Sequence, residues 1–194
     1  KFLFKNKKMP LFLKYIKDND IGTWKLKDTR PFMYCLRVKY DIDLKKDIVS
    51  KWKELFDDKK VKELVKIGKI YEEYANSLLD ENIRRYSMEA FPSIKIYEEF
   101  TEHFTKPGQY KVAVVNGSGC PSASILGNKM MEILNCDFVI LWTYQMEKKE
   151  YVVQFRSKIV DVGAIAKFFG GGGHKLASAC SFSANKYNIQ DLFH

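Results

Sequence analysis

The clearest hydrophobic pattern in the chain lies between about Val61 and Tyr86. Leu64, Ile67, Gly68, Tyr71, Tyr74, Ala75, Leu78, Leu79 and Ile83 recur there at steps of three and four, which puts them on one face of a helix. At 1.5 Å per residue, roughly 25 residues reach about 38 Å, more than a small domain needs. The helix is therefore predicted to connect two bodies. Upstream, residues 10–16, PLFLKYI, read as a short apolar helix or strand, followed by the polar stretch Asp18, Asn19, Asp20. Residues 29–38 fit an extended or a helical pattern equally well. Residues 43–56 are predicted to form a short helix carrying Ile48, Trp52, Leu55 and Phe56.

Ala90, Phe91 and Pro92 mark a boundary, because the residue before a proline is pushed out of the helical region. Pro107-Gly108 then makes a turn, and residues 110–115, YKVAVV, form a buried-strand candidate closed by Asn116-Gly117. Ser122 or Ser124 can cap a helix running to about Leu134. DFVILWTY, 137–144, and YVVQF, 151–155, read as a hairpin. Asp161 opens a short helix with Val162, Ile165, Ala166 and Phe169 on its apolar face, and Gly170 is placed to end it in a left-handed conformation. KLASAC, after His174, is compatible with another helix. The fold class that follows is α/β: a mixed sheet with flanking helices over about 93–194, a connector helix over 61–92, and a mainly helical segment over 1–60.

Composition adds limits. A chain of 194 residues with 46% hydrophobic content builds a real core in one domain or two small ones. Four cysteines with no CxxC spacing argue against zinc knuckles and disulfides, and for packed thiols in a reducing, cytoplasmic setting. No run of 18 apolar residues predicts a membrane span, and lysines break the apolar patch at the start too often for a signal peptide. A start without methionine is open to a processed product or the ordered part of something longer. The net charge of +9 is uneven: residues 1–90 carry 22 Lys or Arg against 15 acids, residues 91–194 carry 11 against 9. A polyanion crossing both halves would gain salt-sensitive attraction from the first.

The candidate chemistry lies in the nearly neutral half. Residues 170–174 read Gly-Gly-Gly-Gly-His. One glycine is explained by the helix end; Gly171, Gly172 and Gly173 are expected to leave peptide N–H groups open to an anion, with His174 able to donate to a phosphoryl oxygen. Arg156 stands at the end of a strand, where a guanidinium can clamp phosphate through parallel bonds, and the Ser157 hydroxyl can add another. The competing reading is a rim arginine paired with a nearby acid. Asn116, Ser118 and Ser122 lie on the loop after a strand, a common binding rim in α/β folds. Asp18 and Asp20 form a close carboxylate pair with oxygen ligands suited to a divalent metal. His103, His174 and His194 do not cluster with acids in sequence, so a self-contained two-metal site is poorly supported.

FRSKIVDVGAIAKFFGGGGHKLASACSF, residues 155–182, closely resembles the last segment of the DHHA1 domain of DHH-family phosphoesterases, with an Arg-Ser pair, a short helix and a glycine-histidine element. KVAVVNGS and DFVILWTY are similar to strands of that domain, so the resemblance covers about residues 100–185. It implies a substrate-binding lobe that closes on a separate catalytic lobe, with Arg156 and the backbone of Gly171 to Gly173 on phosphate and His174, in an accessory catalytic role, toward the scissile group. It also implies manganese, or magnesium, held by a catalytic lobe whose Asp-His-His triplet is absent here. KYIKDND resembles the stretch closing that lobe, which makes Asp18 a match for its last metal-binding aspartate, with Asp20 the alternative. Ser178-Ala179-Cys180 departs from the usual Ala-Ala-Gly and makes the packing there bulkier.

Three functions are consistent with these residues. The first is the C-terminal, substrate-binding part of a metal-dependent phosphoesterase acting on short oligonucleotides, cyclic dinucleotides or polyphosphate, inactive without the missing catalytic lobe. The second is a non-catalytic RNA- or nucleotide-binding module, for which Tyr71, Tyr74 and Tyr86 are stacking candidates, although helical spacing favours packing for them. The third is an interaction domain that pairs, or self-associates into a homo-oligomer, through the long helix.

Overall fold

The computed structural model describes residues 8–40, 49–99 and 110–194. The predicted turn at Pro107-Gly108, His103, and the start of the predicted helix over 43–56 lie outside them. The chain divides into two compact units, Lys1–Ser77 and Leu78–His194.

The first unit is helical. The segments without a clear pattern are both helices: α1 spans Leu11–Asp20 and α2 spans Thr29–Lys39. Each buries one face and places lysine or arginine in its last turn, where cations suit the helix dipole. The short α3, Val49–Lys53, continues as a 3-10 turn over Glu54–Phe56, and α4 follows over Asp58–Tyr86. Phe12, Tyr15, Phe32, Cys35, Leu36, Leu55, Val61, Leu64 and Val65 form one core. Gly68 of α4 sits directly on α2: a Cβ there would lie 1.9 Å from the Pro31 carbonyl oxygen, so only glycine permits this crossing. The apolar stripe of α4 is divided. Val61, Leu64, Val65, Ala75 and Leu79 are buried, whereas Ile67, Ile70 and Tyr74 are exposed.

The second unit is built on a mixed six-stranded sheet in the order β1-β2-β3-β4-β6-β5. The strands are β1 (Ser87–Ala90), β2 (Val112–Asn116), β3 (Phe138–Gln145), β4 (Glu150–Ser157), β5 (Gly172–His174) and β6 (Ala177–Ser183). Among the described residues only β2 and β3 are parallel, and the helix α6, Ala123–Ile133, makes the crossover that a parallel pair requires. Ser122 caps α6 by accepting the Ile125 N–H. A short helix α5 spans Ile94–Glu99 and α7 spans Val162–Phe168, capped by Asp161 accepting from Ala164.

Strand alternation sends side chains to two cores. On one face Val112, Val114, Phe138, Ile140, Val153, Phe155, Cys180 and Phe182 pack with Val162, Ile165 and Leu192. On the other Ala113, Val115, Val139 and Leu141 pack with Leu126, Met130 and Leu79. The mixed sheet flanked by helices agrees with the fold class expected from the sequence. Three strands were not expected. The KLASAC segment, compatible with a helix by composition, is strand β6, because Ser178, Cys180 and Phe182 alternate inward and pair with β4. β1 and β5 are edge strands of four and three residues, too short to carry a pattern.

Candidate functional site

The glycine run does three different jobs. Gly170 has φ of +81° and, with Gly171, closes α7: the Gly170 N–H donates to Lys167 O and the Gly171 N–H to Ala166 O. This is the paired capping geometry in which a left-handed residue is needed, and glycine adopts it without a Cβ penalty. Gly171 is also where β5 meets β6, since a Cβ on it would stand 2.1 Å from the Ala179 oxygen and 2.5 Å from the Cys180 Cα. The bulk of Cys180, where the resembling family has glycine, sits at this crossing and turns into the core. Gly173, at φ +142°, would collide with the Ser178 Cα at 2.6 Å. Gly172 alone has nothing within 4 Å of a Cβ position. The expected open row of N–H groups is therefore corrected in part: the Gly171 donor is spent inside the fold, and Gly172 and Gly173 belong to an edge strand rather than to a loop ahead of a helix.

The register brings two of the sequence candidates together. Val139 of β3, Arg156 of β4, Ala177 of β6 and His174 of β5 are successive partners across the sheet. Directly opposed residues share a face, so Arg156 and His174 project from the same side with only the Ala177 methyl between them. At about 4.8 Å per strand their Cα atoms are about 10 Å apart. The face beyond is nearly bare. Gly172, Ala179 and Ser181 continue it along β5 and β6, with Ala179 and Ser181 exposed. An open groove of about 390 Å³ lies further along, bordered by Val152, Glu150, Lys148, Gly171, Ala179 and Ser181.

Arg156 is held half-buried beside α6. Gly127 is the reason it fits, because a Cβ there would come within 2.9 Å of the Arg156 Cγ and 3.1 Å of the Leu141 Cδ1. The arginine Nη1 donates to the Phe155 carbonyl at 2.7 Å. Among the described residues no carboxylate forms an ion pair with it. Burial lowers the pKa of the guanidinium by stripping water from its charged form, yet arginine stays protonated at neutral pH. A fixed, under-solvated cation of this kind suits a phosphate oxygen. Gly127 was not among the sequence candidates; a glycine inside a helical pattern was its only signal.

Other candidates lie elsewhere. Ser157, one residue past Arg156, points to the opposite face, is buried, and accepts the N–H groups of Ile159 and Val160 at 3.2 and 2.7 Å while donating to Asp137 O. It shapes the turn into α7 and does not join the row. Asn116 is opposite Trp142, three residues along from Val139, so about 10 Å up the strands, and it faces the other side; its Oδ1 accepts the Ser118 N–H. Asp18, in the first unit, is buried, and its carboxylate accepts four bonds: Thr23 Oγ1 at 2.6 Å and Lys25 N at 3.0 Å on one oxygen, Leu26 N at 3.1 Å and Thr29 Oγ1 at 2.6 Å on the other. The Thr23 and Thr29 hydroxyls, ahead of the two backbone donors, hold its pKa well below the usual carboxylate range. A metal on Asp18 would have to displace these donors. Asp20 is exposed. Among the described residues no three His, Cys, Asp or Glu side chains gather as a metal site.

No family model matches the chain. It is 28% identical over 190 residues to "Uncharacterized protein R106" of Acanthamoeba polyphaga mimivirus, covering 95% of this chain and 40% of that protein. Among solved structures it is similar to the pGpG-specific phosphodiesterase PggH from Vibrio cholerae, with a TM-score of 0.51 and 14% identity over 92% of this chain and 64% of that one. An uncharacterized protein from Helicobacter pylori G27 gives a TM-score of 0.37, too low for a shared fold to follow. The chain thus shares a fold with a phosphodiesterase, and it spans 40% of the viral protein and 64% of that enzyme.

Proposed function

We propose that this chain is the substrate-binding part of a DHH/DHHA1-type phosphoesterase that cleaves phosphodiester bonds in short oligonucleotides or cyclic dinucleotides. The observation that carries the reading is the cross-strand row in which Arg156, at the edge of the α6-covered part, and His174 share one sheet face that is open beyond Arg156 along β6 and β5. The guanidinium, short of solvent and without an acid partner among the described residues, takes one phosphate; His174, exposed at the sheet edge, donates to the same group or its neighbour. Gly172 leaves the approach open. The fold shared with a pGpG-specific phosphodiesterase, and the resemblance of residues 155–182 to the DHHA1 segment, support a phosphodiester over polyphosphate.

In this reading the chain positions substrate and does not cleave it. The carboxylates and histidines that hold the metals belong to a part of the whole protein outside this chain, and no step performed here passes through a metal. His174 is accordingly a positioning group for the scissile phosphate. The experiment is a paired one on the 194-residue chain: calorimetric titration with pGpG, and a manganese-supplemented cleavage assay. Binding without turnover is the expected outcome. Turnover by this chain alone would overturn the division of labour, and absence of binding would overturn the grip.

A further inference from the structure

Trp24 is a large side chain in a backbone conformation that large side chains avoid. Its φ is +50°, in the left-handed region where an aromatic residue is a genuine outlier. The loop is nevertheless rigidly specified. The Asp18 carboxylate brackets it, binding Thr23 and Lys25 with one oxygen and Leu26 and Thr29 with the other, while Gly22 at φ +64° turns the chain out of α1. The fold thus invests a buried carboxylate in holding Trp24 at the loop tip.

Trp24 belongs to none of the apolar cores of the described residues and is 38% exposed. A glycine would meet the backbone requirement without strain. Strain kept at an exposed position that packing does not need points to a use outside the fold. What lies beside the ring identifies that use. The Arg30 guanidinium is stacked over the indole, 5.1 Å from the ring centroid, with the half-buried Glu72 of α4 acting electrostatically on it; Lys17, Lys25 and Lys27 are exposed in the flanking sequence, against the acids Asp20 and Asp28.

We infer that Trp24 and Arg30 form a stacking platform for a nucleobase of single-stranded nucleic acid. The ring takes a base, Arg30 reinforces the stack as a cation over the indole and contacts the backbone, and the lysines supply the salt-sensitive attraction. Ile21 and Leu26 are exposed nearby and would suit an apolar protein surface, but docking one would strip water from Lys25, Lys27 and Arg30 together. A polyanion with stackable faces suits both kinds of residue. This platform is in the first unit, and the Arg156 and His174 grip is in the second.

The test is intrinsic fluorescence and affinity of the 194-residue chain with a 12-nucleotide uridine RNA, with inorganic polyphosphate as a base-free polyanion. Trp52 and Trp142 are both partly buried in cores, so an exposed indole dominates quenching by added RNA. Trp24→Ala is expected to weaken RNA binding about 5- to 150-fold, with Trp24→Tyr retaining most of it. Polyphosphate affinity is expected to be the same in wild type and Trp24→Ala. Trp24→Gly should lose RNA while its Tm holds or rises, a combination that a structural role for the indole would not produce. Equal RNA affinity in wild type and Trp24→Ala, or loss of RNA and polyphosphate together, would overturn the inference. Arg156→Ala tests the other site separately and is expected to leave Trp24 quenching by RNA in place.

Discussion

Two adjacent glycines should respond to the same substitution in opposite ways. Neither Gly171 nor Gly172 has a positive φ in the left-handed region, so alanine at either position is conformationally allowed and only space decides. At Gly171 the new methyl would stand 2.1 Å from the Ala179 oxygen and 2.6 Å from the Cys180 Cβ, where ordinary contact begins at 3.4 Å. Both obstacles belong to the paired strand β6, which cannot rotate aside like a long side chain. Strand β5 must therefore move by more than about 1 Å, giving up overpacking energy of about 1–3 kcal/mol and ladder hydrogen bonds worth about 0.5–1.5 kcal/mol each. A total near 3 kcal/mol corresponds to roughly 6–12 °C of Tm for a chain of this size. Gly172→Ala meets nothing within 4 Å and restricts the unfolded chain, so its Tm should hold or rise with about 0.4–1 kcal/mol of stabilisation. Its methyl does, however, enter the face on which a phosphate would approach, so pGpG affinity should fall. Thermal melts by circular dichroism with parallel titrations measure both. Equal destabilisation by the two variants would refute the crossing geometry, and undiminished affinity in Gly172→Ala would refute the ligand's approach over that face.

Three further outcomes follow from other contacts. Asp18 has a folded-state pKa below its unfolded value, so its stabilisation is complete above the ordinary aspartate range, near pH 4, and is lost as pH falls through that range and below it. Asp18→Asn should lower Tm at pH 7 and flatten its acid dependence between pH 5 and 2 in melts across that range. Gly68→Ala should cost the first unit at least about 1 kcal/mol despite better helix propensity, because its methyl would lie 1.9 Å from a backbone oxygen of α2; urea titration measures this. Gly127→Val should displace the Arg156 stem and weaken pGpG binding, read by calorimetry, while Gly127→Ser should do so less.

How far these features could be read from the chain itself depends on whether the physics was local. The period of α4 declared itself because 29 residues average out local exceptions. So did β2, β3, β4 and the caps at Ser122 and Asp161, which use side chains three residues from the groups they satisfy. Strand β6 was hidden because alanine and serine carry little strand preference of their own; pairing with β4 imposes it. The inward alternation of Ser178, Cys180 and Phe182 was the available signal. Arg156 and Ser157 could have been separated beforehand, since neighbours on a strand face opposite ways. The association of Arg156 with His174 could not, because it rests on the β4–β6 register, whose partners are at least 21 residues apart in sequence, as Arg156 and Ala177 are. Asp18 was legible as special but not as the centre of a four-donor cage, whose donors come from the following loop.

The central claim is that Arg156 and His174 act on one phosphate-bearing ligand from one sheet face. Calorimetric titration of the 194-residue chain with pGpG, in wild type, Arg156→Ala, His174→Ala and the double variant, tests it most directly. Each single variant is expected to bind about 10- to 150-fold more weakly, the double variant to lose less than the product of the two, and every Tm to stay near wild type. Wild-type affinity in either single variant, or strictly independent losses, would contradict it.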